Sequence, residues 1–147
     1  MTEELDRKDQ LGLSRLEAAD KLDYFMLGMT LAICAYLAQT NPYAPVEINK
    51  ETFLLLSLLI FAGSAFFGFL RLEVTEKVLS ANLRALEAHE KDETQKAESH
   101  LAKAGDYIRK AKTYYKIRNL LLFAGLICYI GTKVWATYQN NGWIPVH

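Results

Sequence analysis

Residues 52–70, TFLLLSLLIFAGSAFFGFL, are 19 consecutive positions without a charge, closed by Glu51 on one side and Arg71 on the other. As an α-helix rising 1.5 Å per residue, this stretch extends roughly 28 Å, close to the hydrocarbon thickness of a bilayer. A buried helix of a water-soluble protein is seldom both that long and that uniform, so the segment reads as a transmembrane helix. The overall hydrophobic content of 51% would also suit a soluble domain; it is the arrangement that decides.

Two further stretches repeat the signal more weakly. Residues 24–40 are uncharged for 17 positions and end at Asn41-Pro42. Residues 119–132 are uncharged for 14, and the apolar run resumes after Lys133, so that 119–138 supplies 20 positions, enough to span. Positive charge tests three crossings. Lys and Arg number four in residues 1–23, one in 41–51, eleven in 71–118 and one from Lys133 onward. Rich, poor, rich, poor is the alternation that the positive-inside rule demands of three crossings. Aromatic residues agree, with Tyr24, Tyr114 and Tyr115 at the inner boundary and Tyr43, Trp135, Tyr138 and Trp143 at or beyond the outer one.

The expected fold class is therefore an all-α integral membrane protein: three transmembrane helices with a cytoplasmic antiparallel helical hairpin between the second and third. Residues 1–23 form a cytoplasmic N-terminal amphipathic segment, 24–40 the first crossing, 41–51 an external loop, 52–70 the second crossing, 71–118 the hairpin, 119–138 the third crossing and 139–147 an external tail. An S-x-x-E capping box, Ser14 with Glu17, predicts a helix start just before Arg15. In the hairpin, Leu72, Leu79, Leu83 and Leu86 recur at heptad-like spacing, as do Leu101, Ala104, Ile108, Ala111 and Tyr115, and predict the two faces of an antiparallel coiled coil. Its turn is placed within residues 91–96, which hold neither Gly nor Pro, with Asp92 or Thr94 capping the returning helix.

Candidate sites follow from spacing and charge. Arg109, Lys110, Lys112, Lys116 and Arg118 form a basic foot beside the membrane. It suits anionic-lipid contact at about 1 kcal/mol per charge, and the same charges serve simply to orient the chain. Ser57, Ser64, Gly68 and Arg71 share one face of the second crossing, and Gly28 with Ala32 are four apart in the first. Small residues at such spacing let helices approach, which is preferred to a pore lining. Lys133 is an intramembrane charge that snorkels outward, the alternative being a pair with Glu47 or Glu51.

Chemistry is sparse. Cys34 and Cys128 fall inside crossings, and His89 and His100 flank the hairpin tip as solvated residues. Neither a phosphate-binding glycine loop nor a nucleophile elbow is present, and no histidine lies in a crossing to serve Ser64 as a base. The expectation is a non-enzyme without cofactor or metal. It is a scaffold or adapter of a bacterial inner (plasma) membrane, N-terminus cytoplasmic and C-terminus external, that self-associates as a homo-oligomer. The hairpin docks a cytoplasmic protein partner or a neighbouring copy; nucleic acid is not an expected ligand. The alternative is a homo-oligomeric channel or membrane-permeabilising effector gated through the hairpin, with Ser57, Ser64, Thr30 and Lys133 as the only candidates for a polar lumen.

Overall fold

The computed structural model describes residues 2–140, and among them regular secondary structure consists of three α-helices: α1 (Thr2–Thr40), α2 (Lys50–Glu90) and α3 (Thr94–Asn140). The protein is all-helical, and each helix has a portion long and apolar enough to cross a membrane. The expected tail beyond Asn140, with Trp143, lies outside the described residues.

The helices are longer than a bilayer is thick. α2 has 41 residues and α3 has 47, so at 1.5 Å per residue they extend roughly 60 and 70 Å. Arg71 and Arg118 therefore do not end helices. Nothing around either residue breaks a helix, so each apolar stretch runs on without interruption into charged sequence. α1 is likewise one helix from Thr2, and the start expected before Arg15 does not occur. No proline interrupts this stretch, and Glu17 of the capping box is engaged one turn onward, accepting from Lys21 Nζ at 2.7 Å.

Residues 41–49 join α1 to α2 through local bonds. Asn41 Nδ2 donates to the Leu54 carbonyl at 3.2 Å and Tyr43 OH to the Ala38 carbonyl at 2.9 Å. Asn49 caps α2, its extended backbone (φ −134°, ψ 168°) letting the side chain accept from Thr52 N at 2.8 Å.

The turn between α2 and α3 needs only residues 91–93. Asp92 has φ 56°, the left-handed conformation that usually falls to glycine. Asp and Asn tolerate it best among other residues. Glu93 N donates to the Ala88 carbonyl at 2.9 Å, satisfying one of the orphan carbonyls at the end of α2. Neither Asp92 nor Thr94 caps the returning helix by side chain. Instead the Glu93 carbonyl accepts from Lys96 N and Ala97 N, and the Glu93 carboxylate accepts from Lys96 Nζ at 2.9 Å. That bond, with the charge of Lys96, holds the Glu93 carboxyl below the usual glutamate range.

Contacts between α2 and α3 run in opposite sequence order, which makes the pair antiparallel: Phe53 meets Trp135, Gly125 meets Phe61, and Phe67 meets Tyr114. Beyond Arg71 the seam differs from the expected one. Ala81, Ala85 and Ala88 are buried on α2, with Ala97 and, as expected, Ala104 on α3, whereas Leu79, Leu83, Leu86, Leu101, Ile108 and Tyr115 are exposed. Both rows on α2 step by four and three, so periodicity alone does not choose between them. Alanine wins because a methyl side chain lets two backbones approach along their length, leaving the leucines on the flank.

Candidate functional site

Asp23, Arg71 and Arg118 each bound one of the three uncharged stretches: Asp23 precedes Tyr24, Arg71 follows Leu70 and Arg118 precedes Asn119. Because successive helices run in opposite directions, all three residues reach the same level, at one end of the apolar body. There they form a single cluster. Asp23 Oδ1 accepts from Arg71 Nη1 and, at 3.0 Å, from Arg118 Nη1. The Asp23 side chain is 9% exposed and that of Arg118 5%, so both charges are nearly out of water; Arg71 keeps 20%.

Neighbouring residues hold the cluster in place. Arg118 Nε donates to Asn119 Oδ1 at 3.2 Å. Ser64 Oγ, fully buried, donates to the Arg118 carbonyl at 2.9 Å. Gly68 makes room: a Cβ there would lie 3.1 Å from Leu27 Cδ1 and 3.5 Å from Arg118 Cδ. The Tyr115 ring carries both guanidinium groups on its face, Arg71 Cζ at 4.4 Å and Arg118 Cζ at 5.1 Å from the ring centre. Cation–π contacts contribute about 0.5–1 kcal/mol each on a ring that, like that of Tyr115, stays partly exposed. One carboxylate thus serves two arginines, and the cluster carries a surplus positive charge.

Two depressions flank it. A cleft of about 240 Å³ opens beside Arg71 between α2 and α3, walled by Thr75, Val78, Ile108, Ala111, Lys112 and Tyr115. On the α1 side of α2, a groove of about 480 Å³ runs past Asp20, Tyr24, Leu72, Glu76, Leu79 and Asn82. The two share Thr75 and Val78 as a common wall.

The residues expected to contact lipid separate into three situations. Arg118 is not exposed for lipid contact; it is buried in the ion cluster. Arg109 pairs with Asp106 at 2.5 Å, and Lys110 lies 5.9 Å from the centre of the Tyr107 ring. Lys112 and Lys116 are exposed. Of the small-residue faces, Ser57, Ser64 and Gly68 are buried against the other helices, while Gly28 and Ala32 look outward. The face α1 buries instead is Asp23, Leu27, Thr30 and Leu37, closed by Asn41 just past its end. Lys133 is exposed and forms no ion pair with Glu47 or Glu51, its ammonium lying 5.6 Å from the centre of the Tyr129 ring. Glu51 is paired with Lys50 at 3.6 Å. Among the described residues no group of three or more metal-binding side chains occurs, and Cys34 and Cys128 are free thiols.

The cluster was not anticipated as a site. Sequence reasoning places Asp23 only at the edge of a crossing, Arg118 in the basic foot and Arg71 on a small-residue face, and does not bring the three together. The signal was present in the sequence as one acid and two bases, each at the same end of an apolar stretch. No protein-family model, curated protein or solved structure matches the chain.

Proposed function

We propose that the chain is a small multi-pass scaffold or adapter of a bacterial inner membrane, with its N-terminus and the α2–α3 tip cytoplasmic, that self-associates through the charged half of α2 and α3. The observation that carries this reading is the leucine row Leu79, Leu83 and Leu86, exposed at 73%, 57% and 58%. It lies on the charged part of α2, where the helix pair is already sealed by alanine. In the span, exposed residues such as Phe66 and Ile127 meet lipid, whereas a contiguous leucine row in water is a docking face.

Charge favours a second copy as the occupant. Residues 73–90 carry four acids against two bases, and residues 97–118 carry two acids against six bases. The α2 flank of one copy therefore complements the α3 flank of the next, a head-to-tail contact that closes into a ring where the rotation permits. A cytoplasmic protein partner remains the other occupant of the same face. Gly28 and Ala32, small and outward-facing, let α1 come close to a neighbour within the bilayer. The channel reading requires a polar lumen, yet the hydroxyls of Thr30, Ser57 and Ser64 are buried and donate to the carbonyls of Met26, Leu54 and Arg118 within the same chain.

Cysteine cross-linking in membranes tests the reading. Leu83→Cys on one copy and Leu101→Cys on a second, differently tagged copy, both in a background with Cys34 and Cys128 replaced by alanine, are expected to cross-link to each other, because a head-to-tail contact sets α2 of one copy against α3 of the next. Ala88→Cys, buried in the intramolecular seam, is expected to give none. Absence of cross-links at position 83, or equal cross-linking at positions 83 and 88, contradicts self-association through this face.

A further inference from the structure

The ion cluster leaves one positive charge without a counter-charge, and the structure opens a cleft at that point. Arg71 donates through Nη1 to Asp23 and lies over Tyr115, and the remaining edge of its guanidinium makes no other side-chain bond. Its side chain is 20% exposed, in contrast to 5% for Arg118. The surplus charge is therefore presented at Arg71 and not at its partner. Lys112 adds a second cation to the same cleft, and no carboxylate lines it. Asp20 and Glu76 line the groove on the far side of Thr75 and Val78.

From these features we infer that the cleft between Arg71 and Lys112 binds a phosphate-bearing anion, with the free guanidinium edge of Arg71 as the directional donor and Lys112 as the second charge. Guanidinium is suited to this task because its N–H groups form a planar fork that matches two phosphate oxygens, whereas an ammonium acts as a point charge. Depth identifies the source most readily at hand. Arg71 directly follows the apolar stretch, Tyr115 lies over it, and Lys112 is one helical turn from Tyr115 toward the charged end. One turn is about 5.4 Å, within the headgroup layer that flanks the hydrocarbon on each face of a bilayer. The apolar wall of Val78 and Ile108 would accept the carbon skeleton of a headgroup such as glycerol. The inference rests on the helices crossing a bilayer with this end at the membrane surface; it does not require self-association.

Native mass spectrometry of the full-length protein, equilibrated with a mixture of phosphatidylglycerol and phosphatidylcholine, tests this site. Preferential retention of phosphatidylglycerol is expected. Lys112→Gln should weaken that retention about fivefold, the equivalent of about 1 kcal/mol for one charge near a membrane surface. Lys96→Gln, at the far tip, should leave it unchanged. Inorganic phosphate distinguishes the sources: if an excess displaces the lipid, the cleft takes a soluble phosphate, and if it does not, the lipid headgroup is the ligand. Either result supports the phosphate site. Equal retention of the two lipids with no protection by phosphate, or identical behaviour of the Lys112 and Lys96 variants, overturns it.

Discussion

At Asp23, two arginines share one carboxylate oxygen, and the consequences of substitution follow from the charge count. Asp23→Asn would leave two adjacent guanidinium groups, one of them nearly out of water, with no counter-charge. Removing one partner of a buried ion pair in this way typically costs about 3–5 kcal/mol. Arg71→Met leaves a balanced pair, Asp23 with Arg118, and should be distinctly milder. Thermal unfolding in detergent is expected to rank Asp23→Asn far below Arg71→Met, and the reverse order would show that the cluster is not held by this pairing. Arg118→Lys tests geometry separately, since an ammonium offers its three N–H groups from a single nitrogen and does not reproduce the fork by which Nη1 and Nε reach Asp23 and Asn119. At the turn, Asp92 with φ 56° predicts opposite signs for two changes. Asp92→Gly should raise stability by up to about 1 kcal/mol, and Asp92→Val should lower it by about 1–2 kcal/mol, because a β-branched residue resists the left-handed region.

At the scale of elements, the alanine and leucine rows of α2 have separate expected roles. Ala85→Leu overpacks the seam and should destabilise the α2–α3 pair by about 1–3 kcal/mol. Leu83→Gln removes an exposed side chain and should leave the stability of a single copy within about 0.5 kcal/mol while reducing association. Comparing unfolding with light-scattering mass for both variants checks the division of roles. This is also where sequence reasoning reached its limit. The apolar stretches were legible because a bilayer imposes a length of about 20 residues that charge interrupts sharply. The coiled-coil seam was not, because Leu79, Leu83 and Leu86 keep the same spacing as Ala81, Ala85 and Ala88. Only packing distance separates the two rows, and a weighting by hydrophobicity selects leucine. The expected start before Arg15 failed for a related reason: a four-residue capping pattern carries little information inside a sequence that continues to favour helix on both sides. The turn falls within the expected residues 91–96, and the left-handed position goes to Asp92, the one of its three residues that best tolerates it.

For the whole molecule, the described residues form three long helices with little interior of their own. α2 and α3 pair along their length, α1 lies mainly on α2, and the buried charges Asp23 and Arg118 gather with Arg71 at a common level. That level is legible in retrospect from three residues that end apolar stretches, yet reading it required knowing that the ends meet. The proposed scaffold assigns a separate task to each portion: the apolar body holds the protein in lipid, the ion cluster locks the three helices together, and the leucine face recruits the next copy. The mass of the purified wild-type protein in nanodiscs tests that account most directly. A single species at an integral multiple of the chain mass, shifting to one copy when Leu79, Leu83 and Leu86 are all changed to Gln, is the predicted result. A wild-type protein that remains one copy per disc at every loading ratio would contradict self-association and leave the leucine face to a different protein.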